Sequence, residues 1–317
     1  MEKCIVSANI WGLANRMKCL VSSMRIAERY SRRLILYWPK NDHLNCDFSD
    51  LFENEIEQIS EPEFKELSLS TEVLKDFSKV EVDDSDLRSD IIINTSWRFL
   101  LFPQEKYPQK LILPNKFDDG KGLDFKYDLV PAATKDNILA YLNRFIPRRS
   151  ILDEVGKFAK NFDDNTISLQ VRTWHATRQR DFPRNLFFDI KGLFKVMDNQ
   201  KKSNFFVVCD SRKVIDRLLE RYKGRILFHP EDNFETNHCS ASGIQLSLVI
   251  LLLLSKNKKL ILSSVSTYSE LSWWFGGCEA EVKIIPIPFL RWVAVVSLDR
   301  SIDYARNIKR FFTKTRP

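Results

Sequence analysis

The chain has 317 residues, 44% of them apolar, which exceeds one ordinary core and predicts a globular protein of two domains of roughly 150 residues each. Its 49 Lys plus Arg against 42 Asp plus Glu leave a net charge of +7, a balance suited to anionic partners such as nucleotides or phospholipid headgroups; with no aromatic-basic motif, nucleic acid is set aside. Six cysteines, at 4, 19, 46, 209, 239 and 278, lack the spacing of a zinc site or a disulfide framework, and the most apolar run, Leu248 to Leu254, falls far short of the ~20 residues that span a bilayer.

Cys4 to Ala8 reads as a first strand rather than a cleaved leader, because Glu2 and Lys3 precede an apolar run that Asn9 and Gly12 break. Met17, Leu20, Val21, Met24 and Ala27 recur at three-and-four spacing and predict a helix, after which Arg33 to Trp38 resumes as a strand. This is the opening of a parallel α/β domain. Residues 53 to 90 are acidic and weakly periodic and predict loops and short helices, followed by strands at Ile91 to Asn94 and Lys110 to Leu113 among Pro103, Pro108, Pro114 and Pro131. Around Pro147-Arg148-Arg149-Ser150 the pattern changes, which places a domain boundary: residues 1–150 form one Rossmann-like domain and 151–317 another.

The second half is more regular. A helix ending near Asn161 leads to a buried strand at Thr166 to Val171, then Asn204 to Cys209 is a strand, Asp210 or Ser211 caps a helix through Leu218, Leu219 and Tyr222, Gly224 stops it, and Arg225 to Phe228 returns as a strand. Gly243 to Ser255 is apolar on nearly every face and predicts an enclosed helix. Lys259 to Leu262 and Val282 to Ile285 supply the last strands, and Trp273-Trp274 reads as core packing.

Three strand, polar turn, helix segments carry the chemistry. Arg172 stands at the C-terminal mouth of its strand, where open α/β sheets bind ligands, and guanidinium is well matched to phosphate. Trp11-Gly12-Leu13-Ala14-Asn15-Arg16 and Ser263-Ser264-Val265-Ser266-Thr267-Tyr268-Ser269 each lead into a helix, whose N-terminus can hold an anion. Together they point to a nucleotide-sugar site. His175 and Asp181 are the candidate general bases for an acceptor hydroxyl. Asp84-Ser85-Asp86 is the competing signal, since paired aspartates hold a divalent cation on a diphosphate in metal-dependent transferases; its polar, acidic surroundings read as a solvated loop, and no metal is expected.

Gly12 to Arg16 with Trp38-Pro39 and Phe48-Ser49-Asp50-Leu51-Phe52, Val171-Arg172, Phe206 to Asp210, and Gly243-Ile244-Gln245 followed by Val265 to Tyr268 resemble the fucosyltransferase superfamily that includes the nodulation and core α1,6-fucosyltransferases and the protein O-fucosyltransferases. The resemblance implies an α/β fold of the GT-B type, two Rossmann-like domains facing across a cleft, with an acceptor domain first and a donor domain second. It implies inverting, metal-independent transfer of fucose from GDP-fucose to a glycan hydroxyl, with no cofactor. Arg172 would hold the β-phosphate, Ser266 and Thr267 would bond the diphosphate, Tyr268 would pack near base or ribose, and Asn15 would face the departing sugar or acceptor. Gly12, Arg16 and Asp210 complete the implied donor site.

The sequence departs from that pattern at three places. Gln170 replaces a histidine two residues before the arginine, Thr173 replaces a second arginine, and Ile250 stands where an aspartate reads guanine. A binding module of the same fold with weak catalysis is the alternative these departures allow. With its start read as a strand and no spanning run, the protein is expected to be cytoplasmic, and the basic tail, with Arg291, Arg300, Arg306, Lys309, Arg310, Lys314 and Arg316, suggests peripheral membrane contact.

Overall fold

The computed structural model describes residues 2–69, 72–74, 82, 84–105, 127, 130–173, 188–231, 239–263 and 266–286. Over these the chain builds two sheets. The first joins β1 (Cys4–Ser7), β2 (Arg33–Leu36), β3 (Glu72–Leu74) and β4 (Ile91–Asn94) in the order β2-β1-β4-β3. The second joins β5 (Ile167–Val171), β6 (Phe205–Cys209), β7 (Ile226–Leu227), β8 (Lys259–Leu262) and β9 (Glu281–Ile284) in the order β7-β6-β5-β8-β9. The strand pairs are all parallel. Parallel strands need cover on both faces, and Ile5-Val6, Ile92-Ile93 and Phe205 to Val207 are accordingly buried without alternation.

Each sheet reverses its strand order once. From β1 the chain adds β2 on one side and later returns to place β4 on the other; from β5 it adds β6 and later places β8 opposite. Ligands bind open α/β sheets outside the carboxyl ends of the strands at such reversals. The loop after β1 occupies the first, and Arg172 with Ser263 occupies the second.

Helix α1 (Leu13–Arg29) follows β1 and is enclosed on almost every side, because it packs on β1, on α3 (Ala132–Leu142) and on α8 (Thr267–Phe275). Three cations lie inside that enclosure, each with partners. Arg25 pairs with Glu105 and also donates to the Leu100 carbonyl at 2.6 Å and to Asn137 Oδ1 at 2.9 Å; Arg16 and Lys18 belong to the site below. The expected all-round apolar helix is α7 (Ala241–Leu254), which lies between α4 (Arg149–Ala159) and α8. One apolar cluster unites Leu20 of α1, Phe99, Ile151 of α4, Leu251 of α7, and Leu271, Trp273 and Trp274 of α8. Trp273 and Trp274 are wholly inside it, with Trp274 edge-on to Phe99 at 5.2 Å.

Residues 53 to 90 hold α2 (Glu61–Leu69) as well as β3. Helix α5 (Ile190–Asp198) is capped by Asp189, whose side chain accepts from the Gly192 N–H at 2.9 Å. It docks so closely on the segment after β9 that a Cβ at Gly192 would stand 2.4 Å from the Pro286 carbonyl oxygen. Helix α6 (Arg212–Arg221) follows β6, and the chain then turns at Gly224 with φ 74°, a conformation that favours glycine. The strand expected at 110–113 and the basic tail at 291–317 lie outside the described residues. Among the described residues no helix is long and apolar enough to cross a membrane.

Candidate active site

The ends of β5, β6 and β8 are laced together at the reversal of the second sheet. The Arg172 N–H donates to Ser263 Oγ at 2.8 Å and the Ser263 N–H donates to the Gln170 carbonyl at 3.0 Å, which joins the end of β5 to the end of β8. On the other side Asp210, one residue past β6, turns back toward β5. Its Oδ1 accepts from both the N–H and the hydroxyl of Thr173, each at 2.7 Å, and its Oδ2 lies 3.1 Å from Arg172 Nη1. The carboxylate is 7% exposed and the Arg172 side chain 33% exposed. The result is a guanidinium aimed from behind by a buried anion and open to solvent at the carboxyl end of the sheet.

Gln170 ties the start of α8 to the same strand. Its Oε1 accepts from the Ser269 hydroxyl, while Ser266, the N-cap, accepts from the Ser269 N–H at 3.3 Å. The first turn of α8 is thereby held beside Arg172, and the N–H groups that a helix cannot satisfy within itself lie at that end. Thr267 is the first residue of the helix. The Tyr268 hydroxyl donates to the Ser247 carbonyl of α7 at 2.5 Å, so the ring is anchored along α7. Ile250 of α7 is buried in the apolar cluster.

The second turn of α1 meets the first turn of α8. Lys18 and Glu270 form an ion pair in which both side chains are fully buried, and Glu270 Oε1 also accepts from Trp274 Nε1 at 3.3 Å. Gly12 is the N-cap of α1 in an extended conformation, and a Cβ there would meet nothing within 4 Å. Asn15, in the first turn of α1, has a buried Oδ1 with no hydrogen-bond partner among the described residues. A buried acceptor without a donor costs about 1–3 kcal/mol, which an incoming hydroxyl or N–H would offset.

Arg16 is 1% exposed, its guanidinium donates to the carbonyls of Trp11 at 2.7 Å, Pro39 at 2.8 Å and Ile10 at 3.3 Å, and it stacks 5.0 Å over Trp38, so it braces the loop before α1. Burial pulls its pKa down to about 10, which still leaves it charged at neutral pH. Asp210 orients both Arg172 and the Thr173 backbone from the end of β6. His175 and Asp181 lie outside the described residues. Asp84 accepts from the Tyr30 hydroxyl at 2.8 Å, and Tyr30 is the C-cap of α1, the opposite end from Asn15 of a helix about 25 Å long. Among the described residues no group of three or more His, Cys, Asp or Glu could hold a metal ion.

Sequence reasoning missed Lys18 and Glu270 as parts of this region. Only Glu270 carried a signal, an acidic residue in the first turn of a helix, where it suits the helix dipole.

No protein-family profile matches the sequence, and no curated protein matches it. Solved structures do. The fucosyltransferase NodZ from Bradyrhizobium superposes with a TM-score of 0.56 at 13% identity, over 86% of this chain and 92% of that one. NodZ α1,6-fucosyltransferase soaked with GDP-fucose gives 0.55 at 13% identity, over 87% and 93%. An arginine-to-lysine variant of Arabidopsis thaliana FUT1 in complex with GDP gives 0.55 at 15% identity, over 92% and 72%. The chain therefore has the α/β, GT-B fold of these GDP-fucose fucosyltransferases over most of its length.

Proposed function

We propose that the protein is an inverting, metal-independent glycosyltransferase that moves fucose from GDP-fucose onto a hydroxyl of a glycan. The observation that carries this reading is Arg172, fixed by Asp210 at the strand-order reversal, one-third exposed and beside the first turn of α8. A shared fold with GDP-fucose enzymes adds to it. Residues 1–150 form the acceptor side and 151–317 the donor side.

The acceptor hydroxyl attacks the anomeric carbon from the face opposite the diphosphate. A new C–O bond forms as the bond to the β-phosphate oxygen breaks, and the electron pair leaves with GDP. Negative charge then grows on the diphosphate. Arg172 and the N-terminus of α8 stand where that charge appears, and they are preorganised, so they stabilise the transition state without reorganising. Asn15 Oδ1 accepts from a sugar hydroxyl, which satisfies its orphaned lone pairs. The hydroxyl proton passes to a base, for which His175 and Asp181 are the candidates. With Ile250 in the core, the N–H groups of guanine are left to other acceptors.

Thermal stabilisation across GDP, UDP, CMP and dTDP, followed by transfer of radiolabel from the stabilising donor, tests the proposal. GDP should stabilise by about 2.7 kcal/mol at a hundred times its Kd. Stabilisation by UDP or dTDP without GDP would refute the donor, and donor binding without turnover on any glycan would leave a binding module in place of an enzyme.

A further inference from the structure

The loop between β1 and α1 is rigid and yet turns its largest side chains to solvent. The Ala8 N–H donates to the Asn94 carbonyl at 2.8 Å, Asn9 Nδ2 donates to the Thr95 carbonyl at 3.0 Å, and Asn9 Oδ1 accepts from the Trp11 N–H at 3.0 Å. Arg16 holds the carbonyls of Ile10 and Trp11 from below. Asn41 Nδ2 donates to the Ile10 carbonyl at 2.9 Å, while Asn41 Oδ1 accepts from the N–H groups of His43 at 2.9 Å and Leu44 at 3.1 Å, so the 41–44 turn and the loop move as one. On this frame Ile10 is 45% and Trp11 41% exposed, and the His43 ring lies against the indole with centroids 4.7 Å apart.

Leaving that much indole in water forgoes about 25 cal/mol for each Å² not buried, and a loop with this many ties could have folded it inward. The exposed indole with one imidazole beside it offers a single aromatic face, the shape that suits one sugar ring. A pyranose has an apolar face of axial C–H groups and a rim of hydroxyls, which matches an aromatic plane with the His43 imidazole beside it. The position fits as well: Trp11 immediately precedes the N-cap of α1, at the strand-order reversal of the first sheet, and Lys18–Glu270 sets that end of α1 against the end of α8.

We propose that Trp11, edged by His43, is the platform on which one pyranose ring of the acceptor glycan stacks, an inference that rests on the glycosyl-transfer reading above. Stacking orients the ring without reading its substituents, so Trp11 governs acceptor affinity and leaves donor binding alone.

The test uses the full chain on an array of neutral hexose, N-acetylhexosamine and deoxyhexose oligosaccharides, with GDP-induced thermal stabilisation measured in parallel. The parent should retain a subset of these glycans, and Trp11→Ala should weaken that retention by tenfold or more with its GDP response and melting temperature unchanged. Trp11→Gln keeps bulk but has no aromatic face and should behave as Trp11→Ala, which guards against a folding defect in either variant. Glycan retention by both variants at the parental level, or no retention by the parent, overturns the platform. If GDP fails to stabilise the parent while glycan retention still depends on Trp11, the platform stands and the donor assignment falls.

Discussion

Lys18 of α1 and Glu270 of α8 pair across the two sheets' helices with neither side chain reaching water. The ammonium also lies 5.0 Å from the Phe99 ring centroid, and the indole of Trp274 bonds the carboxylate. Desolvating two charges costs several kcal/mol, so such a pair contributes little net stability while strongly penalising the loss of either partner. Its value here is geometric: it ties the second turn of α1 to the first turn of α8.

Lys18→Met and Glu270→Leu should each destabilise the protein by about 3–5 kcal/mol, because each strands a buried charge. The double variant should recover most of that loss, since two apolar chains of similar length can fill the space. Denaturant unfolding of the four proteins in a cycle gives the coupling. Additive losses would show that the two side chains act independently.

Arg172→Ala should lower turnover about 10²- to 10³-fold, the range for removing one preorganised donor to a developing anion. Melting temperature should change little, because the arginine stands at the sheet's mouth outside the apolar core. Arg172→Lys should recover little, since ammonium keeps the charge but loses the planar fork. Near-parental turnover in Arg172→Ala would remove this residue from the chemistry, and a large fall in melting temperature would make the Asp210 contact its main role.

Transfer should survive EDTA, because the proposed reaction assigns the charge of the diphosphate to Arg172 and the N-terminus of α8. Loss of activity that Mn²⁺ restores would shift attention to Asp84 and Asp86.

Acid should weaken the tie between α1 and α3. Glu28, near the end of α1, accepts from the Tyr141 hydroxyl at 2.8 Å and pairs with Arg144 just past α3. The Arg144 hydrogen bond, helped by Tyr141, holds its carboxyl below the usual range. A folded pKa below the unfolded value, about 4.3 for glutamate, means stability that is present above that pH and lost as pH falls through the folded pKa. Glu28→Gln should flatten the decline in unfolding free energy between about pH 5 and 3, by a small amount because the pair is half exposed and screened by salt. An unchanged slope would assign the acid sensitivity to other carboxylates.

The parallel elements were legible because their sequences say one thing at a time. Ile5-Val6, Leu169 and Val171, and Phe205 to Val207 are buried apolar residues of strands that end in polar turns, and α7 is apolar all round. Helix α5 went unread, although Asp189 caps it and Leu193 and Met197 stand at helical spacing. Charge placement was not legible. Lys18 and Arg25 would read as a solvated face and Arg16 as a donor contact, yet all three are buried, with partners at Glu270, Glu105 and Pro39, distant in sequence. The same holds at the site: a motif can mark Gln170 and Thr173 as departures, but only the folded chain reveals that one holds Ser269 and the other Asp210.

The apolar cluster that unites α1, α4, α7 and α8 has a consequence for how this protein could be recombined. Cutting near Pro147 and exchanging one half for that of a relative would expose Trp273, Trp274 and Leu251 on one piece and Leu20 and Phe99 on the other. Each half therefore supplies part of the other's interior, and a working chimera would have to inherit the facing surfaces of α1 and α8 together, with the Lys18–Glu270 charges matched.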